Sequence, residues 1–117
     1  MRLHKLTGAQ LAIDILERST CNVKVGAAIE DKDGRLISWG WNSAGPTGLG
    51  LHAECHAIQR ANRRRLHYGT IYVASVRTKH GKPINSFPCE ECYKLIVKYK
   101  MRIVWHSTNG WALTKHY

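Results

Sequence analysis

Apolar positions along the chain fall into short blocks whose spacing alternates between the helical and the strand period. Thr7 and Gln10 make a T-x-x-Q capping box, with Leu6 and Leu11 at the staple positions around it. Leu11, Ala12, Ile15 and Leu16 then mark one side of a helix, predicted from Thr7 to about Glu17. Val23–Ile29 and Arg35–Trp41 read as two strands joined by the turn Asp31-Lys32-Asp33-Gly34. A glycine-rich loop, NSAGPTGLG (Asn42–Gly50), leads straight towards His52. Ala53, Ala57, Ile58 and Ala61 give the small-residue face of a second helix ending near Arg64. TIYVASV (Thr70–Val76) has the β-branched content of a buried strand, and Arg77–Phe87 reads as loop. Pro88 suits the first position of a third helix, from Cys89 to about Lys100. RIVWHS is a strand, TNG a tight turn and WALTKHY a last strand. The order α-β-β-α-β-α-β-β predicts one α/β domain over residues 1–117, a sheet with helices on both faces.

Composition narrows the class. With 117 residues, 44% of them apolar, the chain has enough core to fold unaided. No apolar run approaches the length of a membrane span, and Met1-Arg2-Leu3-His4-Lys5 leads into no signal-peptide core. A cytoplasmic protein without a membrane partner is the expectation. Cys21, Cys55, Cys89 and Cys92 would stay reduced there, so a Cys-x-x-Cys pair means metal or redox chemistry. The net charge of +10 suits an anionic partner, either phosphates on a small substrate or a nucleic acid. A solvated lysine and arginine face is the plainer account of the same charge.

Two segments carry the candidate chemistry. GLHAECHAIQRANRRR (Gly50–Arg65) puts His52, Glu54, Cys55 and His56 in the first turns of the second helix. FPCEEC (Phe87–Cys92) puts Cys89 and Cys92 in the first turn of the third. Catalytic zinc takes three protein ligands and keeps a position open for water. Cysteines three apart at a helix start point to one side, where the dipole favours the thiolate. His52, Cys89 and Cys92 are therefore candidate ligands of one zinc ion, with Glu54 beside the open position as proton carrier. Taken separately, the pieces have blander readings: a redox dithiol, a helix-capping histidine, or a zincin-like His52–His56 pair. A redox dithiol needs no upstream His-x-Glu, and a zincin has Glu directly after its first His, where this chain has Ala53. A structural zinc site would fill the fourth position with Cys or His. Cys55 is the nearby residue able to do so, and it reads instead as a buried thiol.

HAE (His52-Ala53-Glu54) followed by PCEEC (Pro88–Cys92) resembles the H-x-E…P-C-x-x-C signature of the cytidine/deoxycytidylate deaminase superfamily. VGAAIEDKDGRLISWGWN looks like that superfamily's first hairpin, and FPCEECYKLIVKYKMRIVWHS like its Cys-Cys helix and following strand. The resemblance implies a three-layer α/β/α fold around a mixed five-stranded sheet, one zinc per chain, and hydrolysis of an exocyclic amine. It also implies that Asn42 hydrogen-bonds the sugar, while the Ala53 N–H and the Cys89 carbonyl read the base edge.

The substrate is less sharply written. GWNSAGPTGLGLHAE and FPCEECYKLI look most like the deoxycytidylate deaminases. Free cytidine deaminases share the VGAA hairpin but carry an acidic sugar-binding residue where this chain has Ala44. TNG followed by WALTKHY reads as a hairpin, so the last two strands are expected antiparallel, as in the cytidine deaminases. The first expectation is a free cytosine nucleotide or nucleoside, with deoxycytidylate ahead. The alternatives are cytosine or adenine in single-stranded DNA or RNA, and a non-catalytic zinc-stabilised binding module. RANRRRLHYG, RTKHGK and KYKMR would supply charge to a strand, and Trp39, Trp41 and Trp105 stacking rings. Yet Trp39 and Trp41 alternate on a strand and read as core, and Arg63–Arg65 close a helix where cations suit the dipole. Arg77–Phe87 is expected to lie over the site, and the chain to assemble as a homo-oligomer.

Overall fold

The computed structural model describes residues 7–43, 52–77, 82–83, 88, 90–107 and 110–113. Thr7 caps helix α1 (Gly8–Ile15), its hydroxyl accepting the Gln10 N–H at 3.1 Å. The Gln10 side chain does not reach back to complete the box. It donates forward to Asp14 Oδ1 at 3.0 Å. Leu6, the other half of the staple, lies outside the described residues. A 3-10 turn (Leu16–Arg18) then ends this segment.

β1 (Val23–Glu30) and β2 (Leu36–Trp41) form the expected antiparallel hairpin. Asp31 closes its turn, with the carboxylate accepting the Asp33 N–H at 3.0 Å and the Arg35 N–H at 2.9 Å. Gly34 sits there at φ +82°, a left-handed conformation that a Cβ would disfavour.

The second helix is shorter than its pattern predicts. α2 (Ala53–Arg60) stops where Ala61 turns extended, at φ −84° and ψ 152°. Asn62 then caps a separate turn, α3 (Arg63–Leu66), by accepting the Arg64 N–H at 3.0 Å. An asparagine side chain competes for backbone N–H groups, so the helix expected to reach Arg64 is broken in two. β3 (Thr70–Arg77), β4 (Lys82–Pro83), α4 (Glu90–Lys98), β5 (Arg102–Ser107) and β6 (Gly110–Leu113) follow.

The sheet is mixed, in the order β2-β1-β3-β5-β6, with β4 paired to β3 off that path. Among the described residues it has six strands where five were expected. The addition comes from the segment read as loop: Lys82 and Pro83 pair with Arg77 and Val76, beyond the end of the β3–β5 ladder at Val73. Two residues carry no readable period, which hid this strand. β3 and β5 are parallel, and β5 and β6 are antiparallel, as TNG between them implied.

Alternation along β1 and β3 sorts the core into two layers. Ala27, Ile29, Ile71 and Val73 pack with Ala53, Ala57, Ile58, Ile96 and Met101. Ala28 and Ala74 pack with Ala12 and Leu16 on the other face. The helices approach the sheet closely where it has no side chain. A Cβ on Gly26 would collide with the Ala12 carbonyl, and one on Gly40 would lie 2.6 Å from the Ala57 nitrogen. Ser38, beside Gly40, ties the same helix down by donating to the Ala57 carbonyl at 2.6 Å. Among the described residues no helix is long and apolar enough to cross a membrane.

Candidate active site

β2 and β3 are both antiparallel to β1 and therefore point the same way. α2 follows β2 and α4 follows β3, so both helix N-termini lie at one end of the sheet. That end, beyond the carboxyl termini of the strands, is where open α/β sheets place ligands.

His52 is the N-cap residue of α2 but makes no capping hydrogen bond with its side chain. Its Nδ1 lies instead 3.5 Å from Cys92 Sγ, on the first turn of α4. Cys92 is fully buried, and its sulfur also stands 3.1 Å from Cys55 Sγ. Cys55 follows His52 by three residues, the spacing that puts two side chains on one side of a helix. Cys55, expected as a buried thiol, is half-buried against an expected ligand.

Glu54 is 5% exposed on the first turn of α2. Burial pushes its carboxyl above the ordinary value, while its own backbone N–H and the charge of His52 act in the opposite direction. A carboxyl so placed can hold a proton and release it, which is what acid–base chemistry requires.

His56 faces away from this cluster. Its Nδ1 stands 3.2 Å from both the amide nitrogen and the carbonyl oxygen of Trp41, and the two rings meet edge to face at 4.7 Å. It pins the sheet edge to α2, a role that periodicity could not reveal, and forms no zincin pair with His52. Asn42 also holds the scaffold: its Oδ1 accepts the Val25 N–H at 2.9 Å, and its Nδ2 donates to the Val23 carbonyl at 2.8 Å. An amide has four hydrogen-bonding positions, so one N–H and one lone pair remain for a ligand.

An imidazole nitrogen and a sulfur in contact are donors of the type zinc takes, so the residues present fit the metal. Among the described residues no group of three His, Cys, Asp or Glu side chains is arranged to hold an ion. Cys89, the third expected ligand, lies outside them. The family of the cytidine and deoxycytidylate deaminase zinc-binding region matches residues 4–107. The chain belongs to this family. It is a hydrolytic deaminase, and its family is a zinc-binding one.

Solved structures agree on the fold. A cytidine deaminase from Burkholderia pseudomallei is 22% identical, with 92% of this chain and 89% of that chain covered, at a TM-score of 0.71. A cytidine deaminase from Mycobacterium leprae is 26% identical over 87% of this chain and 86% of that one, at a TM-score of 0.59. No curated protein matches.

Trp39 and Trp41 of the deaminase are occupied from within. The Arg60 guanidinium lies 5.3 Å from the Trp39 ring centre and 5.8 Å from that of Trp41, and Arg18 is 5.3 Å from Trp41. Trp105 is half-buried against the core. Trp39 packs against the Ala12–Leu16 core cluster as expected, and the arginine contacts add to that packing.

Proposed function

We propose that the chain converts the cytosine ring of a free nucleotide or nucleoside to uracil with release of ammonia. The observation that carries this is Glu54, buried beside the point where His52 and Cys92 meet. His52, Cys89 and Cys92 would hold one zinc ion, which when bound acts as a Lewis acid that acidifies water. Glu54 takes a proton from the attacking water and delivers it to the ring nitrogen N3, making C4 electrophilic. The water oxygen bonds to C4. Glu54 then carries a second proton to the exocyclic amine, the C4–N bond breaks, and ammonia leaves. The Ala53 N–H and the Cys89 carbonyl hold the base edge, and Asn42 turns its remaining N–H to the sugar.

Deoxycytidylate is the first choice within that class. Ala44 stands where nucleoside enzymes carry an acid, and the charge of +10 suits a phosphate. A free substrate is favoured over a strand because Trp39 and Trp41 are part-buried as well as carrying arginines. The zinc-loaded protein is tested with deoxycytidylate, cytidine, deoxycytidine and a cytosine-bearing single strand, each followed by loss of the cytosine absorbance. Conversion of the free compounds is expected. Conversion of the strand alone overturns the proposal.

A further inference from the structure

The β1–β2 turn, α3 and the two residues after it enclose a second concavity of about 380 Å³. Its lining includes Lys32, Arg35, Arg64, Arg65, His67 and Tyr68, together with the two aspartates of the turn. It lies at the opposite end of the sheet from Glu54. The β1–β3 ladder runs from Val23↔Arg77 near the active site to Glu30↔Thr70 beside this cavity. Seven strand steps separate those ends by roughly 23 Å, so a ligand here does not touch the reacting atoms.

The basic residues elsewhere on these elements already have internal roles. Arg60 and Arg18 lie over tryptophans, and Arg63 donates to the Tyr99 hydroxyl at 3.1 Å. Lys24 pairs with Glu17, and Lys94 with Glu90. Lys32, Arg35, Arg64 and Arg65 are exposed and form no ion pair among the described residues. Asp31 and Asp33 offset part of this charge, but the four cations outnumber the two carboxylates, and the Asp31 carboxylate is also held by the turn's own N–H groups. The Arg35 N–H above all holds that carboxyl below its ordinary value, and the charges of Arg35 and Arg65 add to the effect.

The backbone supplies an independent sign. Tyr68 adopts φ +62°, a region unfavourable to a residue with a Cβ, whereas the φ of +53° at Lys100 is the ordinary left-handed ending of α4, with the Met101 N–H donating to the Ile96 carbonyl. The Tyr68 N–H is anchored on the Tyr99 carbonyl at 3.2 Å, and the Lys100 ammonium stands 5.9 Å from the Tyr68 ring centre. Tyr68 is thereby held 49% exposed at the rim of the cavity. Strained conformations that present a large ring beside clustered cations are characteristic of ligand clamps.

We propose that this cavity is a second binding site, one that takes a nucleotide. Arg64 and Arg65, supported by Arg35 and Lys32, engage the phosphate oxygens through charge-assisted hydrogen bonds, and Tyr68 carries the attached ring. The volume falls at the lower end of small-molecule sites and suits a single nucleotide. That unit is either a free nucleotide or one residue of a single strand.

The zinc-loaded protein is titrated calorimetrically with adenosine diphosphate, inorganic pyrophosphate and an oligodeoxyadenylate strand, purine probes being chosen to spare a cytosine pocket. Arg64→Gln combined with Arg65→Gln should weaken all three by at least roughly tenfold, the effect of removing hydrogen bonds to charged groups. Tyr68→Asn tolerates the left-handed backbone. It should weaken the diphosphate and the strand about fivefold or more while sparing pyrophosphate. Deamination should be unchanged in both variants. A strand binding no tighter than the diphosphate identifies a free nucleotide. A strand whose affinity rises with length and falls steeply with salt identifies nucleic acid. Absence of binding by all three probes, or equal binding by the double arginine variant, overturns the proposal.

Discussion

Gly40→Ala is the sharpest probe of how the sheet positions α2, the helix that carries Glu54. The added Cβ would lie 2.6 Å from the Ala57 nitrogen and 2.8 Å from both the Ala53 carbonyl oxygen and His56 Cβ. Two of these atoms are backbone of α2, so no rotamer change relieves the clash. Ordinary contact begins near 3.5 Å, so the helix must retreat by about 0.9 Å. Overpacking of this kind costs about 1–3 kcal/mol, less about 0.5–1 kcal/mol regained because alanine suits a strand interior better than glycine. A net loss of up to about 2.5 kcal/mol should lower Tm by as much as roughly 10 °C for a chain of this size. α2 carries His52 and Glu54, and a displacement near 1 Å can cost about 10²-fold in rate. Denaturant titration and deamination kinetics read the two effects together. Gly34→Ala is the control: nothing lies within 4 Å of its Cβ, yet its φ of +82° penalises the change. It should lose stability without losing kcat. A Gly40→Ala protein with native Tm and native kcat would refute the reasoning.

Three further outcomes are expected. Glu54→Gln should lower kcat by about 10²–10⁴-fold or more while zinc content and fold persist. Because burial holds the folded carboxyl above its ordinary value of 4.5, Glu54's own contribution to the stability of zinc-free protein is complete below 4.5 and is lost as pH rises through the folded value. The Gln variant should lack this dependence in denaturation curves taken across acid to neutral pH. Cys89→Ser and Cys92→Ser should each lose bound zinc by elemental analysis, whereas Cys55→Ser should retain it; loss in the Cys55 variant would add that residue to the ligand set. Tyr72, pushed up to about 12 by burial and then by the Glu30 carboxylate 3.0 Å from its hydroxyl, should ionise earlier in Glu30→Gln, by ultraviolet titration. Its stabilising effect is complete below 10.0, the ordinary value, and is lost as pH rises through about 12.

The features legible in the sequence were those whose cause is local. VGAAI and TIYVASV marked buried strands by their apolar and β-branched content, but the division of Ala27, Ile29, Ile71 and Val73 from Ala28 and Ala74 is set by the strand period within a sheet covered on both faces. Asp31 and Gly34 marked the hairpin because turn chemistry is carried by single residues. The helix break at Ala61 was hidden because alanine is the best helix former and gives no warning. The deciding residue was Asn62, acting through one side-chain hydrogen bond. At the site, the meeting of His52 with Cys92 followed from two helix starts. The Cys55–Cys92 contact, the His56 clamp and the Asn42 bridges depend on how α2, α4 and β1 sit against one another, which no periodicity encodes.

The contact between His52 and Cys92 joins residues 40 positions apart, and this separation dictates when the site can form. His52 belongs to the β1–β2–α2 unit, whose hairpin closes over a short turn and can assemble early. Cys92 belongs to the β3–α4–β5 crossover, whose parallel pairing must first close a long loop. The two halves meet only once β3 has added to β1. Interactions absent from the transition state slow unfolding without hastening folding. Metal held across this junction, as proposed, would act as a latch on the finished protein, lengthening its lifetime rather than guiding its assembly.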